Sequence, residues 1–594
     1  MLTSISSNSQ FGHRPFKVIV NGRTLDAKKG ETVLELCDRY NIRIPRLCHH
    51  PNLPPRASCR VCLVEQDGKW LTPACVTQVW ENEKNPVRFN TKSPRVLESV
   101  RNNLGLLLAS HDEHCSQCVA NHRCEFRDYV VDTGATATTR EPPAQGIDNS
   151  TNSITLDISK CVLCGRCIRA CEVIAGQAAI AYGNRASHMR VQPAGGVSLA
   201  ETSCVKCGQC TLYCPVGAIT EKSQVREAMN VLQNRPRKLL VVQTAPAVRV
   251  ALSEALGLPS GTISTGKMVA ALRRLGFDKV YDTNWSADLT ILEEANELIS
   301  RLTKPNSVLP MFTSCCPAWV NYIEQSRPNF IPNLSTCRSP QGMLSSCIKN
   351  VLTKNLGVPA KEIFTMSIMP CTAKKDEIER PQLRTKDGEK ETDIVLTVRE
   401  LAEMIKLSNI NFLSLPDEEF DVPYGLASGA GAIFAATGGV MEAAARTAFE
   451  AVTGKKLTNV VIDGVRGLKV TKICTLDLEG TKLQVAVSHG IAEAGRLLDR
   501  LEAKDPELKD VKFIEVMACP GGCVNGGGTP KIKDNNVMMT RINAIYKIDD
   551  ESKYRKSHDN PSIKAVYDEF FEKPNSHKAH ELLHTHYTAR KPKI

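Results

Sequence analysis

The chain has 594 residues, 24 of them cysteine, with a hydrophobic content of 42% and a formal net charge of +11. This length exceeds what one hydrophobic core holds and predicts several domains. No apolar run approaches the ~18 residues of a membrane helix, so membrane insertion is not expected. Short C-x-x-C spacings in so large a chain exclude a small disulfide scaffold and indicate metal or cluster ligands in a reducing, anaerobic compartment. Because bound thiolates would add negative charge, the basic excess does not predict nucleic-acid binding. A basic surface for an acidic redox partner and an ordinary solvated surface both remain open.

Residues 1–15 form a candidate targeting leader. The segment is rich in serine, contains no acidic residue, and has Arg14 as its only lysine or arginine. Mitochondrial-type transit peptides share this composition. A disordered start of a cytoplasmic protein shares it as well, so composition leaves both localisations open.

A [2Fe–2S] domain is predicted over residues 16–92. The run FKVIVNGRTLDAKKGETVLELC has alternating apolar residues around an Asn-Gly turn, which predicts a β-hairpin followed by a helix from about Thr32. The cysteine spacing that follows, C-x10-C-x2-C-x12-C, differs from that of plant-type ferredoxins. It resembles the [2Fe–2S] domain that opens the large iron–sulfur subunit of respiratory complex I and many hydrogenases, so a β-grasp ferredoxin fold is expected; a zinc site is the alternative. The candidate ligands are Cys48, Cys59, Cys62 and Cys75.

Residues 93–140 contain a second candidate site with the spacing H-x3-C-x2-C-x5-C. Three thiolates and one imidazole can hold a [4Fe–4S] cluster, and zinc accepts the same donor set. His114 and His122 are also near in sequence, so spacing alone does not decide which histidine is the ligand. The candidate ligands are His111, Cys115, Cys118 and Cys124.

Residues 141–228 carry the most specific spacing, C-x2-C-x2-C-x3-C, which occurs twice. Such paired runs are typical of bacterial-type ferredoxin domains with two [4Fe–4S] clusters, where the fourth cysteine of each run binds the other cluster. Successive clusters indicate a path for electrons between a surface partner and a deeper centre. One cluster is predicted on Cys161, Cys164, Cys167 and Cys214, and the other on Cys204, Cys207, Cys210 and Cys171.

An α/β domain is predicted over residues 237–530. Strand-like runs such as KLLVVQTA and KVYDT alternate there with helical runs such as SADLTILEEANELISRLTK. Three cysteine motifs fall inside it: FTSCCPAW, IMPCTAKKDEIERP and EVMACPGGCVNGGGTP. The glycines of the third motif allow backbone to approach a bulky inorganic group closely. One more [4Fe–4S] cluster is predicted on Cys316, Cys371, Cys519 and Cys523.

These three motifs, in their order after the cluster domains, resemble those of the [FeFe]-hydrogenases. Residues 531–594 resemble the small-subunit sequence of that family, fused here and expected to wrap the catalytic domain. The resemblance implies an H-cluster, in which a [4Fe–4S] cubane is joined through Cys523 to a two-iron unit with CO, cyanide and azadithiolate. It favours His111 as the ligand of the second site. The beginning of the chain resembles the presequences of hydrogenosomal proteins, which favours the hydrogenosome matrix over the cytoplasm.

The resemblance also implies roles for residues around the two-iron unit. Cys315 matches the thiol that passes protons to and from the bridging amine, so the neighbouring cysteines have different tasks. Glu294 and Glu297, which share one helix face, match the proton path together with Ser335. Lys374 matches a lysine that contacts one cyanide. The other matching pocket residues are Pro246 and Ala247, through their backbone, and Gln341, Met369 and Met517.

The predicted activity is the reversible reduction of protons to H₂, with ferredoxin as electron partner and a flavin-containing NADH-oxidising module as the alternative. An iron–sulfur assembly protein without a diiron unit is the competing hypothesis, and the intact relay thiol, lysine and methionines argue against it. A complex I-type subunit would not explain the three motifs of the α/β domain. Cysteines without a ligand role are predicted to be structural, and the C-terminal histidines to pack; these are Cys37, Cys337, Cys347 and Cys474, and His577, His580, His584 and His586.

Overall fold

The computed structural model describes residues 15–82, 85–121, 123–139, 146–478, 480–532 and 536–591. The candidate leader up to residue 14 and the alternative ligand His122 lie outside this part of the chain. Among the helices of the described residues, none combines the length and apolar character that a membrane span needs.

The first domain is a five-stranded mixed sheet with one helix packed on it, which is the predicted β-grasp fold. The predicted hairpin is present, and its turn residues Asn21 and Gly22 both have positive φ. The helix begins after Thr32, because Thr32 and Glu35 form a capping box. The elements are β1 (Phe16–Val20), β2 (Arg23–Ala27), α1 (Val33–Arg39), β3 (Leu63–Gln66), β4 (Trp70–Pro73) and β5 (Arg88–Asn90), in the strand order β2-β1-β5-β3-β4.

Two packed helices, α2 (Pro94–Leu108) and α3 (Glu125–Thr133), frame the second candidate cluster site. The first begins at a proline after the capping hydroxyl of Ser93, and proline is well tolerated at this position because the N–H would be unpaired. The second begins directly after Cys124 and ends at Gly134, which adopts the left-handed conformation.

The third domain is built around two short helices that pack against each other and lie within the paired cysteine runs. Each helix starts after a glycine with positive φ, Gly165 or Gly208, so the chain turns sharply between neighbouring cysteines. The elements are β6 (Ile147–Asp148), β7 (Ile154–Asp157), α4 (Arg166–Arg169), β8 (Ile180–Gly183), β9 (Arg190–Pro193), α5 (Gln209–Tyr213), β10 (Ile219–Glu221) and α6 (Val225–Asn234).

The large domain contains two four-stranded sheets, which confirms the predicted α/β class. One sheet is entirely parallel, and its strands are nearly continuous apolar runs because helices cover both faces. The strands are β11 (Leu239–Thr244), β12 (Lys279–Asp282), β13 (Met311–Phe312), β14 (Ile363–Met369), β15 (Ile394–Thr397), β16 (Thr471–Leu478), β17 (Thr481–His489) and β18 (Val511–Met517), in the orders β12-β11-β14-β15 and β13-β18-β17-β16.

The helices of the large domain surround these sheets. The longest has 21 residues and is almost wholly buried over its first half, which places several acidic side chains inside the protein. The helices are α7 (Val248–Ala255), α8 (Thr265–Leu275), α9 (Thr283–Thr303), α10 (Pro317–Ser326), α11 (Pro340–Cys347), α12 (Thr353–Leu356), α13 (Lys374–Glu377), α14 (Val398–Leu407), α15 (Gly429–Ile433), α16 (Gly439–Thr453) and α17 (Ile491–Glu502).

The C-terminal segment packs on the large domain through buried ion pairs. Arg541 binds Glu254 at 2.9 Å, and Arg446 of α16 binds Asp549 at 2.8 Å. Because neither arginine is exposed, losing one partner would leave an uncompensated buried charge, so these pairs hold the segment in one position. Its helices are α18 (Asn536–Glu551), α19 (Pro561–Val566) and α20 (His577–Leu583).

Candidate active site

The cysteines of the three motifs lie at one edge of the sheets. Cys316 follows β13, Cys371 follows β14 and Cys519 follows β18, while Cys523 lies on the glycine-rich turn beyond Cys519. These strands run parallel to neighbours in their sheets. Their carboxyl ends therefore meet at the edge where α/β sheets commonly bind ligands.

The four predicted cubane ligands are close enough to influence one another electrostatically. Burial raises the pKa of the Cys519 thiol well above its ordinary value, and the charges of Cys371, Cys316 and Cys523 raise it further. Burial, and then Cys316, raises the pKa of Cys371 to about 12. A bound cationic centre would favour the thiolate form of these four buried thiols, as it does in metal and iron–sulfur ligand sets.

Three glycines of the third motif allow close backbone approach around these cysteines. A Cβ at Gly526 would lie 2.1 Å from the Pro370 carbonyl oxygen, and one at Gly527 would lie 2.4 Å from that of Cys207. A Cβ at Gly528 would lie 2.8 Å from the Thr397 side chain. Any side chain here would push the loops apart, so glycine is required for their convergence.

Each residue of the predicted proton path interacts with the next, by a hydrogen bond or through its charge. The Ser335 hydroxyl donates to Glu297 Oε2 at 2.8 Å and is fully buried. Burial, followed by the Glu297 charge, raises the pKa of Glu294 to about 8, and Glu294 Oε2 is buried without a hydrogen-bond partner among the described residues. The charge of Glu294 in turn raises the pKa of Cys315 beyond the increase caused by burial. The order Glu297, Ser335, Glu294, Cys315 therefore leads inward to the cluster ligands.

Arg301, which the sequence analysis did not include, lies at the outer end of this path. Its guanidinium binds Glu297 Oε1 at 2.6 Å and its side chain is 15% exposed. It also donates to the Leu334 carbonyl at 2.8 Å, which ties α9 to the segment before Ser335. The i, i+4 spacing to Glu297 was the signal that could have identified it.

Lys374 lies beside the relay cysteine, as its predicted role requires. Its ammonium donates to the Cys315 carbonyl at 3.3 Å and to the Glu377 carboxylate at 2.9 Å. Gln341 also donates to Glu377, at 3.0 Å, and its own amide oxygen is buried without a partner among the described residues. Glu377 was not predicted, although its i, i+3 spacing from Lys374 is a local signal.

The remaining predicted pocket residues are buried but do not form one group. Met517 packs with Cys315 and Cys523 in one apolar cluster, whereas Met369, at the end of β14, packs in another. Pro246 and Ala247 are buried in the turn between β11 and α7. Arg249 donates to the Pro246 carbonyl at 3.1 Å, which holds this turn in place.

The residues present fit the implied H-cluster. Four thiols converge at a sheet edge, glycines let the backbone approach closely, and the Lys374 ammonium contacts the backbone carbonyl of Cys315. The unpartnered oxygens of Glu294 and Gln341 are the kind of polar atoms that a bound group or water would satisfy.

The accessory cysteines are grouped as the paired spacing predicts. One cavity is lined by Cys161, Cys164 and Cys167 together with Cys214 of the second run. Burial raises the pKa of Cys210, and the charges of Cys207, Cys204 and Cys171 raise it further, so these four residues are also neighbours.

The second of these groups adjoins the catalytic domain. The charge of Cys371 acts on Cys207, and the Thr372 hydroxyl donates to the Lys206 carbonyl at 2.8 Å. The backbone of Gly527 also packs against Cys207 and Gly208. The loop that carries Cys207 therefore contacts the loops that carry Cys371 and Cys523 directly, with no other element between them.

The first two candidate sites adjoin the third domain. The Cys48 thiol contacts those of Cys59 and Cys75, and Cys62 contacts Cys75. Arg169 of α4 donates to the Cys48 carbonyl, which joins the first domain to the third.

His111 has the surroundings of a ligand. Its Nδ1 is buried and has no hydrogen-bond partner among the described residues. The side chain of His114 is 81% exposed, and its Nδ1 lies 2.5 Å from Asp112. This difference supports His111 over His114.

Comparison with known sequences matches two segments of the chain to iron hydrogenase families and three N-terminal segments to iron–sulfur domains. Residues 238–527 match the family described as iron only hydrogenase large subunit, C-terminal domain, and residues 535–590 match iron hydrogenase small subunit. Residues 13–84 match a 2Fe-2S iron-sulfur cluster binding domain, residues 101–138 the NADH-ubiquinone oxidoreductase-G iron-sulfur binding region, and residues 198–220 a 4Fe-4S binding domain.

Two bacterial proteins are similar over nearly their whole length. The NADP-reducing hydrogenase subunit HndD of Solidesulfovibrio fructosivorans is 41% identical, over 96% of this chain and 99% of that protein. Iron hydrogenase 1 of Clostridium pasteurianum is 38% identical over the same shares. Among solved structures, an [FeFe]-hydrogenase described as HydA(deltaEFG) is 40% identical with a TM-score of 0.56, over 62% of this chain and 99% of that chain.

Proposed function

The chain belongs to the [FeFe]-hydrogenase family, and from this premise we propose that it reversibly reduces protons to H₂ with electrons from reduced ferredoxin. Membership of this family directly supports hydrogenase activity in a chain that carries iron–sulfur domains. The observation that carries the specific proposal is the position of Cys315. This thiol adjoins the cluster ligand Cys316 in sequence and is influenced by the buried carboxyl of Glu294.

We assign the clusters to the cysteine groups described above. The proposed set is one [2Fe–2S] cluster, three accessory [4Fe–4S] clusters and the H-cluster. The cavity lined by Cys161, Cys164, Cys167 and Cys214 supports the exchange of fourth ligands between the paired runs. When bound on Cys316, Cys371, Cys519 and Cys523, the H-cluster would supply the redox centre at which two protons and two electrons from reduced ferredoxin give H₂.

The chain's own residues move the protons. Glu297 takes a proton near the surface, where Arg301 holds its carboxylate, and Ser335 passes it inward. A carboxyl with a pKa of about 8, as at Glu294, both accepts and releases a proton near neutral pH. Cys315 is the last residue of this path and holds the proton beside the cluster site.

Lys374 and the methionines shape the inner pocket. Lys374 offers a cationic donor to an anionic ligand, and Glu377 keeps its ammonium oriented. Met517 contributes a soft apolar surface next to Cys315 and Cys523, which limits water around the reacting group.

A surface near the first cluster supports an acidic protein such as ferredoxin as the partner. Trp70 is 66% exposed at the start of β4, and the exposed residues Lys69 and Arg95 adjoin it. Arg95 donates to the Lys69 backbone carbonyl at 2.9 Å, which holds the Arg95 side chain beside the turn that precedes Trp70. An exposed aromatic ring between positive charges favours a partner with carboxylates around an apolar contact.

A flavin-containing module that exchanges electrons with NADH or NADPH is the second candidate partner. The observation that favours it is the similarity to HndD, which is described as a subunit of an NADP-reducing hydrogenase. The match of residues 101–138 to the NADH-ubiquinone oxidoreductase-G region points the same way.

We also propose that the protein works in the hydrogenosome matrix. The composition of residues 1–15 and their resemblance to hydrogenosomal presequences are the support. Fusing these residues to a fluorescent protein in an anaerobic protist tests this, and a cytoplasmic signal would contradict it.

The function is tested by infrared absorption of anaerobically matured protein, with H₂ production measured in parallel. Bands of metal-bound CO and cyanide, with H₂ formed from reduced ferredoxin, are expected. H₂ formed only from NADPH or NADH plus a flavoprotein would favour the second partner. Absence of both bands and H₂, from cells that mature other enzymes of this family, would overturn the proposal.

A further inference from the structure

The C-terminal histidines place one buried imidazole beside the proton path. Of the four histidines predicted to pack, His584 is buried, and the ring of His580 packs against it with centroids 4.1 Å apart, whereas His577 and His586 are exposed. One ligand atom each from Glu297, Cys337 and His584 lies within 4.8 Å of the others, and all three residues are buried. The proposed mechanism uses Glu297 but neither Cys337 nor His584.

We propose that Glu297, Cys337 and His584 form a binding site for a divalent transition-metal ion, Zn²⁺ above all, and that its occupation blocks proton transfer at Glu297. A carboxylate, a thiolate and an imidazole are the protein ligands that Zn²⁺ takes, with a fourth position left for water. Mg²⁺ and Ca²⁺ prefer oxygen ligands and would not select this set. The blocking effect rests on the proposed proton path, whereas the binding itself does not.

His584 is already oriented as a metal ligand would be. Its Nε2 lies 3.0 Å from Glu293 Oε2, and that carboxylate also accepts from the Tyr567 hydroxyl and the Asn575 N–H. Because a carboxylate only accepts, Nε2 carries the proton and Nδ1 keeps the lone pair. A carboxylate behind a metal-binding imidazole is the usual second partner of such ligands.

His584 Nδ1, the ring nitrogen without the proton, lies near Thr336, whose backbone also contacts Glu297. His584 Nδ1 lies 2.8 Å from the Thr336 hydroxyl, and the Thr336 N–H donates to Glu297 Oε2 at 3.0 Å. Cys337 follows directly, with its sulfur 3.8 Å from the same oxygen. The Cys337 thiol therefore lies beside Glu297 Oε2, and His584 Nδ1 approaches the same carboxylate from the other side of Thr336.

The two oxygens of Glu297 explain why a metal here would stop proton transfer. Oε1 is paired with the charged Arg301 guanidinium, whereas Oε2 accepts hydrogen bonds from uncharged groups, so Oε2 is the oxygen that a metal would take. Oε2 accepts the hydrogen bond of Ser335, which is the next group of the path. Metal binding would replace that hydrogen bond while the Arg301 ion pair stays intact. Cys337 would release its proton to solvent, and one thiolate plus one carboxylate would balance the charge of Zn²⁺.

The site is tested first by anomalous diffraction. Crystals of the complete protein, soaked in ZnCl₂ without added thiols, are measured above and below the zinc edge. A zinc peak bounded by the three side chains is expected, and its absence would overturn the proposal. This readout does not need hydrogenase activity, so it separates failure of the zinc site from failure of the proposed function.

The consequence is tested by zinc titration of H₂ production in the matured enzyme. Each variant's rate is divided by its own rate without zinc. Cys337→Ala and His584→Gln are expected to raise the half-inhibiting zinc concentration at least 10-fold, because ligand loss weakens zinc binding by this order or more. Cys347→Ala, another buried thiol, and His577→Gln, an exposed histidine of α20, are the matched controls. Equal inhibition of all variants, or bound zinc without slower H₂ production, would contradict the proposal.

Discussion

The Ser335 hydroxyl donates a hydrogen bond to Glu297 at 2.8 Å across 38 residues of sequence. This contact joins α9 to the segment that precedes α11 and is fully buried at Ser335. It joins Glu297, the outer carboxylate of the proposed proton path, to the next residue of that path. Proton transfer is therefore expected to depend on a hydroxyl that binds no cluster.

Ser335→Ala is expected to slow H₂ production by roughly 10²-fold or more, since a positioned proton-transfer group contributes about that factor. The CO and cyanide bands should stay, because Ser335 touches no cluster ligand. Ser346→Ala, a buried serine of α11, is the control and should keep its rate. Equal rates in the two variants would remove Ser335 from the path.

Glu294→Gln is expected to abolish most turnover and to change the pH profile. The pKa of Glu294 is raised to about 8, so the carboxyl is protonated below this pH and ionised above it. H₂ production by the unchanged enzyme should fall as pH rises through about 8. The folded-state pKa exceeds the ordinary 4.5, so Glu294 contributes stability that is full below pH 4.5 and is lost as pH rises through about 8.

The measurements for Glu294 are the rate and the free energy of unfolding, each as a function of pH. The glutamine variant should lose the part of the stability change that falls between pH 4.5 and about 8. A glutamine variant with an unaltered pH profile would mean that another group titrates.

Cys315→Ala and Cys316→Ala are expected to differ although the residues are neighbours. The first should retain the infrared bands and lose turnover, because it removes only the relay thiol. The second should lose the bands as well, because it removes a cubane ligand. Infrared spectra and iron content of both variants, purified side by side, make the comparison. Loss of iron in the Cys315 variant would contradict the relay role.

Lys374→Met is expected to prevent retention of the diiron unit. The substitution keeps a long side chain but leaves Glu377 without its cationic partner, and breaking such a buried pair costs about 3–5 kcal/mol. The CO and cyanide bands should weaken or disappear, whereas iron–sulfur absorption should stay. Lys375→Met is the control, because Lys375 is also buried but binds Glu400 on α14. Normal bands in the Lys374 variant would exclude the cyanide contact.

Gly527→Ala is expected to disturb the contact between the glycine-rich turn after Cys523 and the loop that carries Cys207. The new methyl would lie 2.4 Å from the Cys207 carbonyl oxygen and 2.7 Å from Gly208 Cα, and such overpacking costs about 1–3 kcal/mol. A lower Tm and slower H₂ production from reduced ferredoxin should follow. Gly464→Ala, whose methyl would have ordinary contacts from 3.6 Å, is the control. Equal Tm values would show that the loops separate without cost.

Local patterns were sufficient to predict much of this protein. The hairpin around Asn21, the helix cap at Thr32 and the α/β character of the large domain follow from neighbours in the chain, and the structure has them. The cluster ligands can also be predicted from local sequence, because a cluster requires short, fixed spacings between cysteines. The family followed from the three motifs for the same reason.

Only the tertiary structure decided which distant residues meet these local groups. Glu293 and His584 are 291 residues apart, and no spacing rule connects them, so the His584 environment could not be predicted. The contact of Gly527 with Cys207 also depends on how two domains dock. Buried polar groups need hydrogen-bond partners. Those partners are set by which elements pack together in the folded chain, so they need not be near in sequence.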